Sequence, residues 1–177
     1  MALSIYDRPE FNISPEPTAA DDQTDDTLES VVAEAFSDPA DNTGFLQRLT
    51  QSESSGDTTA EITISDGRTF SGALQFGAAR LADYKTATGS SFTQDEFKAD
   101  SALQNKVAAW HVADIDKAID ALGLNTDGYN RDGLCAVAHL GGKSGMAKYV
   151  KSKGSYNPAD EIGTSLQDYY DKFAVQS

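Results

Sequence analysis

The sequence predicts a mainly helical α+β domain that carries one small β-hairpin. Apolar residues recur at helical spacing in six or seven segments, which is typical of amphipathic helices around a core. Between residues 60 and 70, Ile62 and Ile64 alternate with polar residues and precede Asp66-Gly67, a dipeptide that strongly favours a two-residue hairpin turn. A length of 177 residues is enough for one domain with a single core.

Apolar spacing, capping residues and glycines give the expected helix bounds. The first core helix begins at Asp41 or Asn42, either of which can cap it, and ends before Gly56. Another helix opens at Ser71, and Gly141-Gly142 interrupts a later apolar segment. In chain order, helices are expected over residues 27–36, 42–54, 71–85, 101–122, 133–140, 144–150 and 164–173.

The net charge of −14 is concentrated near the N-terminus. Residues 1–41 contain eleven acidic residues and one arginine, whereas the rest of the chain contains seventeen acidic and thirteen basic residues. Nucleic acid is therefore not an expected ligand, because neutralising phosphates requires a basic face. We divide the chain into an acidic arm, residues 1–36, and a folded domain, residues 37–177. The arm is either a solvated tail or a segment that docks on a partner.

Membrane, disulfide and metal-binding classes are not indicated by the sequence. Its apolar runs are too short for a transmembrane helix, and its first residues lack the basic start and apolar core of a secretory signal. Cys135 is the single cysteine, which excludes an intramolecular disulfide, and its apolar surroundings favour a packing role. His111 and His139 have no neighbouring cysteine or paired carboxylates, so neither a metal ion nor a cofactor is expected.

Glu53 is an acidic residue at a position where a core residue is expected. It follows Leu49 by four residues and continues the apolar stripe of Phe45, Leu46 and Leu49. Burial disfavours the charged form of a carboxyl, so the pKa of Glu53 should rise toward the working pH of a general acid. The alternative is a glutamate that faces solvent at a frayed helix end, and the spacing alone leaves both interpretations open.

Three short motifs follow one another along the chain: Glu53-Ser54, Gly72-Ala73-Leu74-Gln75 and Ala138-His139-Leu140-Gly141-Gly142. In this order they resemble the lytic transglycosylases and goose-type lysozymes of the lysozyme-like superfamily. The family has a helix-terminal Glu-Ser, then Gly-Leu-Met-Gln at the start of the next helix, and later Ala-Tyr-Asn-Ala-Gly. The chain departs from this pattern at His139, where the family has Tyr, and at Leu140, where it has Asn. The resemblance covers roughly residues 40–155.

The resemblance implies a lysozyme-like fold and peptidoglycan as the substrate. In the family, the glutamate first protonates the oxygen between N-acetylmuramic acid and N-acetylglucosamine. It then acts as a base on the muramic 6-hydroxyl, which gives a 1,6-anhydro product, and the N-acetyl group of the sugar assists. A lysozyme usually adds a second carboxylate, about 5 Å from the acid for retention or about 6.5–9.5 Å for inversion. Asp57, Glu61 and Asp66 are candidates for that second carboxylate.

The resemblance makes Glu53 the catalytic residue and also implies substrate contacts. Ser54 is expected to hold the Glu53 carboxyl. Gln75, on the first turn of its helix, is expected to line the cleft beside Phe76, where its amide can bind acetamido or hydroxyl groups of a sugar. Tyr149 is a candidate for stacking on a sugar face, with packing in the core as the alternative.

The two histidines are expected to differ in role. His139 takes the place of the family's tyrosine, which orients the acid or a sugar, and a histidine there would add a pH dependence near neutrality. His111 lies on the apolar stripe of its helix beside Trp110, which favours a packed core histidine.

These features together predict an enzyme that cleaves peptidoglycan glycan strands, as a lytic transglycosylase or a muramidase. Without a secretory signal and with a docking arm, it is expected to belong to a phage or phage-like particle. There it would bind other particle proteins through the arm and open the bacterial cell wall during genome delivery. One alternative is an endolysin without a signal sequence. Another is a structural or adaptor protein with a lysozyme-like fold and little activity, an alternative that the departures at His139 and Leu140 leave open.

Overall fold

The computed structural model describes residues 42–174, and within them the fold is mainly helical with one small antiparallel sheet. The predicted mainly helical α+β class is confirmed. The acidic arm, residues 1–36, and the helix expected at residues 27–36 lie outside the described part. The α-helices of the described part are α1 (Asn42–Ser54), α2 (Ala78–Thr88), α3 (Gln94–Ala99), α4 (Ser101–Leu122), α5 (Arg131–Lys151) and α6 (Leu166–Phe173).

The sheet lies between α1 and α2 in the chain. Its strands, in both chain and spatial order, are β1 (Glu61–Thr63), β2 (Thr69–Ser71) and β3 (Phe76–Gly77). A hairpin turn at Asp66-Gly67 between β1 and β2 is confirmed, but the predicted two-residue loop is wrong. The backbone N–H of Ile64 donates to the carbonyl oxygen of Arg68 at 3.0 Å, which leaves residues 65–67 as a three-residue loop. Gly67 in this loop has a φ of 88°. Strand β3 has only two residues, too few for an alternating pattern to reveal it. We call residues 61–77 the β-wing.

Residues 72–75 form a turn between β2 and β3, so the prediction that a helix opens at Ser71 is wrong. Gly72 and Gln75 have φ values of 80° and 50°, in the left-handed region that a right-handed helix excludes. The backbone N–H of Gln75 donates to the carbonyl oxygen of Gly72 at 3.0 Å. Helix α2 begins only at Ala78, after β3 has paired with β2.

Gln104, on the first turn of α4, holds this turn in place. Its Oε1 accepts a hydrogen bond from the backbone N–H of Ala73 at 2.9 Å. Its Nε2 donates to the carbonyl oxygens of Thr58 at 2.8 Å, Phe97 at 3.2 Å and Lys98 at 3.1 Å. One buried amide therefore joins the β-wing, the loop before it and the end of α3 to α4.

The core is built around α4 and α5. Helix α4 has the predicted bounds, Ser101–Leu122. Within α5, Gly142 has non-helical angles (φ 68°, ψ 170°), which confirms the predicted interruption at Gly141-Gly142. Helix α6 packs along α5, and no helix in residues 42–174 is both long and apolar enough to cross a bilayer. Buried apolar residues of this core include Phe45, Leu49, Val107, Ile115, Leu134, Val137, Leu140, Tyr169 and Phe173.

Candidate active site

Glu53 lies in the last turn of α1 and is buried. Phe45 and Leu49, which precede it on the same face of the helix, are 1% and 0% exposed, and Glu53 itself is 1% exposed. The interpretation of Glu53 as a continuation of the apolar stripe is therefore correct, and the alternative of a glutamate that faces solvent is excluded. Its side chain has no exposed surface at all.

His139, from the first half of α5, is a polar side chain beside Glu53. Its Nε2 lies 4.0 Å from Oε1 of Glu53. Burial, with the Arg80 charge as the second cause, lowers the pKa of His139 to about 4. The imidazole is therefore neutral at pH 7, and the pH dependence near neutrality that the sequence suggested for this residue moves to lower pH.

His111 connects His139 to the other side of the core. Its Nε2 lies 3.0 Å from Nδ1 of His139, and its Nδ1 accepts a hydrogen bond from Nε of Arg80 at 2.8 Å. Burial, together with the charges around it, lowers the pKa of His111 well below its ordinary value. The prediction of a buried histidine is correct. The imidazole is also the middle member of a row of hydrogen-bonded side chains, Arg80, His111 and His139, which we call the polar chain.

Arg80, on α2, ends this polar chain and was not singled out from the sequence. Its guanidinium donates to Asp114 at 2.7 Å and to Asp83 at 3.3 Å, and lies 4.2 Å from the centroid of the Trp110 ring. Lys143 also donates to Asp114, at 2.8 Å. Although burial alone would raise it, the pKa of Asp114 is lowered by these two cations.

The sequence contains one signal for the polar chain, the position of His111. A histidine on an apolar helix face needs a hydrogen-bond partner once it is buried, because an unpaired buried polar group is costly. His111 therefore predicts a partner on another element, although the sequence does not say which residue supplies it.

Gln75 and Phe76 lie on the β-wing side of the histidines. Gln75 is 2% exposed, and its Nε2 donates to the carbonyl oxygens of Gly72 at 2.8 Å and Ala60 at 3.2 Å. Its buried Oε1 accepts no hydrogen bond from the described residues. The Phe76 ring meets His111 edge to face, with 5.0 Å between centroids, so Phe76 supports the histidines from the core.

A small cavity adjoins the two histidines. Its volume is about 20 Å³, which is room for a water molecule. Glu53 does not line it, so this cavity is not a cleft that would hold a glycan against the acid. The lining residues are Gln75, Phe76, Gly77, Arg80, His111, Ile115, Ala138, His139, Gly142 and Lys143.

Ser54 does not have the role expected of it. Its hydroxyl donates to the carbonyl oxygen of Ala73 at 2.8 Å. Because a hydroxyl has a single proton, this bond prevents Ser54 from donating to the Glu53 carboxyl at the same time. Ser54 therefore attaches the end of α1 to the turn of the β-wing.

Tyr149 packs in the core, the alternative that the sequence left open. It is 2% exposed, and its hydroxyl donates to Oε1 of Gln167 at 2.6 Å. Its ring contacts those of Tyr129 and Tyr170, and burial raises its pKa to about 12. No ring face is left exposed to stack on a sugar.

The three candidates for a second carboxylate are exposed and engaged locally. Asp57 accepts hydrogen bonds within its own turn, Glu61 pairs with Lys98 at 2.8 Å, and Asp66 pairs with Arg68 at 2.8 Å. These contacts lower the pKa of all three side chains. None of them shares the buried surroundings of Glu53. Within residues 42–174, no cluster of three or more His, Cys, Asp or Glu side chains is placed to hold a metal ion.

Comparison of the chain with protein-family models, with curated proteins and with solved structures finds no match. A proposal about function therefore depends on the residues themselves. The feature that sets this site apart is a buried glutamate at a helix end, next to a neutral histidine that belongs to a buried polar chain.

Proposed function

We propose that the protein cleaves the glycan strands of peptidoglycan, as a lytic transglycosylase or muramidase, with Glu53 as its catalytic acid. The observation that carries this proposal is the burial of the Glu53 carboxyl at the end of α1, with Nε2 of His139 4.0 Å from it. A glutamate placed in a core needs a reason, and general acid catalysis is one. The order of the three sequence motifs supports the same conclusion.

The surroundings of Glu53 suit an acid that must hold a proton at neutral pH. Burial disfavours the charged form of a carboxyl. A protonated His139 would counteract this by attracting a carboxylate, but its pKa of about 4 keeps the imidazole neutral. In the proposed reaction, Glu53 donates its proton to the glycosidic oxygen as the C1–O bond breaks, and the bonding electrons stay on that oxygen.

The second step regenerates the acid. The Glu53 carboxylate takes the proton of the muramic 6-hydroxyl, whose oxygen forms the new bond to C1 and closes the 1,6-anhydro ring. Because Asp57, Glu61 and Asp66 are exposed and paired elsewhere, the route with a single carboxylate is favoured over hydrolysis by a carboxylate pair. The expected product therefore has an anhydro end.

One observation favours a second candidate function, that of a structural or adaptor protein in a phage-like particle. The Glu53 side chain has no exposed surface, and the neighbouring cavity holds no more than water. A glycan can reach this carboxyl only after the atoms that cover it have moved. A particle protein that keeps the fold without the activity has no need of such an opening.

Purified sacculi, with mass spectrometry of the released muropeptides, test the enzymatic proposal. An anhydro end and a reducing end differ by one water, so one experiment reports both activity and product type. Glu53→Gln is nearly isosteric and should reduce release at least about 100-fold, because it removes the general acid. Glu61→Gln is the matched control: the same change at an exposed position should leave release unaltered.

The outcomes separate the two candidate functions. Release by the wild-type protein that persists in Glu53→Gln would refute the role of Glu53. Folded wild-type protein that releases nothing would favour the structural candidate.

The proposed setting is a phage or phage-like particle, with the acidic arm as the attachment. Deletion of residues 1–36 should then leave muralytic activity intact and abolish incorporation into particles. A truncated protein that still assembles would refute the attachment role of the arm.

A further inference from the structure

The polar chain behind Glu53 has a direction that its hydrogen-bond donors determine. An arginine guanidinium is protonated at all physiological pH values and can only donate. Because Nε of Arg80 donates to Nδ1 of His111 at 2.8 Å, that nitrogen must be an acceptor. A neutral His111 therefore carries its proton on Nε2.

The same constraint passes to His139. Nε2 of His111, which carries the proton, lies 3.0 Å from Nδ1 of His139 and donates to it. A neutral His139 must then carry its own proton on Nε2, the nitrogen that faces Oε1 of Glu53 at 4.0 Å. Burial keeps both imidazoles neutral, so each has a single ring proton to place.

We propose that Arg80 is a positioning residue: acting through His111, it sets the tautomer of His139 so that an N–H faces the Glu53 carboxyl. The inference rests on the proposed function, because that function gives Glu53 a chemical step that His139 can assist. When Glu53 has transferred its proton, the carboxylate gains a ready donor in His139. The contact shortens to hydrogen-bond length at that stage, which stabilises the carboxylate until it acts as a base.

The residues around Arg80 and His111 favour a role for the direction of the Arg80 Nε–H bond over a role for the positive charge alone. Asp114 and Asp83 hold the terminal nitrogens of Arg80 and leave Nε directed at His111. Edge-to-face contact with Phe76 orients the His111 ring. A lysine at position 80 would supply a positive charge but lacks the planar group that presents Nε at a fixed angle to the two other donors.

Nitrogen NMR of the full chain labelled with ¹⁵N-histidine tests the tautomers without reference to activity. The chain contains only two histidines, so four ring nitrogens account for all the imidazole signals. At pH 7 both Nδ1 atoms should show the shift of an unprotonated nitrogen and both Nε2 atoms that of a protonated one. A coupling across the hydrogen bond should connect Nε2 of His111 to Nδ1 of His139. A proton on Nδ1 of His139 would overturn the proposal.

Arg80→Lys, with Arg131→Lys as its matched control, tests the source of the tautomer. The lysine variant should show averaged ring-nitrogen shifts for His111, and kcat on sacculi should fall about tenfold with little change in KM, as expected for the loss of one directed hydrogen bond. Arg131→Lys makes the same substitution at a half-exposed arginine that pairs with Asp116 and lies outside the polar chain, so it should retain both the wild-type shifts and the wild-type kcat. Wild-type shifts in Arg80→Lys would overturn the role of Arg80.

Failure of the proposed function can be distinguished from failure of the tautomer assignment. An inactive wild-type protein with the expected nitrogen shifts would refute peptidoglycan cleavage and support the tautomer assignment. If Arg80→Lys does not fold, the shifts and the coupling of the wild-type protein decide the tautomers.

Discussion

Lowering the pH from 7 to 5 should destabilise the protein through the buried pair His111 and His139. In the folded state the pKa of His139 is about 4 and that of His111 is well below 6.5, mainly because both are buried. In an unfolded chain each imidazole binds a proton below about pH 6.5. The unfolded state therefore binds more protons in this window, and stability is lost as the pH falls from 6.5 toward 4.

The magnitude follows from the lowered pKa of His139. At about 1.36 kcal/mol per pKa unit, the change from 6.5 to about 4 amounts to about 3 kcal/mol at pH 4 and about 2 kcal/mol at pH 5. His111 adds a loss of the same sign, so the free energy of unfolding should fall with a slope of nearly two protons between pH 6 and pH 5. The other titratable or charged groups near the pair are Glu53, Arg80, Asp114, Lys143 and Tyr169.

Urea titrations that follow the fluorescence of Trp110, the single tryptophan, measure this free energy at each pH. In His139→Asn, a side-chain carbonyl can accept the hydrogen bond from His111 without titrating, so the slope should drop to about one proton. Comparison of the two proteins cancels contributions from the other charged groups. Equal slopes, or a stability that does not change from pH 7 to pH 5, would refute the buried neutral pair.

Three further experiments test the scaffold. Gly72→Ala should lower the free energy of unfolding by about 3 kcal/mol, because its Cβ would lie 2.7 Å from Oε1 of Gln104 and its φ is 80°. Gly56 has a similar φ, but a Cβ there would meet no atom within 4 Å. Gly56→Ala should therefore lower the free energy of unfolding by only about 1 kcal/mol in the same urea titration. Burial raises the pKa of the Cys135 thiol, so a disulfide reagent should label it only as the protein unfolds, and fast labelling of folded protein would contradict this. Ser165→Ala removes the N-cap of α6 and should lower the melting temperature by an amount equivalent to about 1 kcal/mol, whereas an unchanged melting temperature would show that the cap adds nothing.

Features that depend on local spacing could be predicted from the sequence. The burial of Glu53 follows from its distance to Leu49 along one helix face, and the bounds of α4 follow from its apolar stripe and from Gly123. The position of the hairpin turn follows from the adjacent Asp66 and Gly67, although its loop has three residues and not two. In each case the determining interaction lies within a few residues of the chain.

Features that depend on contacts between distant parts of the chain could not be predicted from the sequence. Residues 72–75 precede an apolar helix pattern, but pairing with β2 and the hydrogen bond from Ala73 to Gln104 hold them in a turn. The partners in the polar chain are 31 and 28 residues apart, on three different helices. Spacing within one helix shows which face is buried but not which residues of another helix that face meets, so the link from Arg80 to His139 appears only in the folded structure.

The four hydrogen bonds of Gln104 have a consequence for motion. Movement of the β-wing as a flap on α4 is costly, because displacement of Ala73 leaves the buried Oε1 of Gln104 without its donor. Because the turn of the β-wing is attached to α4 through this buried amide, we expect the β-wing to be released as a unit. In hydrogen exchange, the amide protons of residues 69–77 should therefore exchange together. Any path that brings a polymer to Glu53 either leaves the β-wing in place or releases it as a single unit.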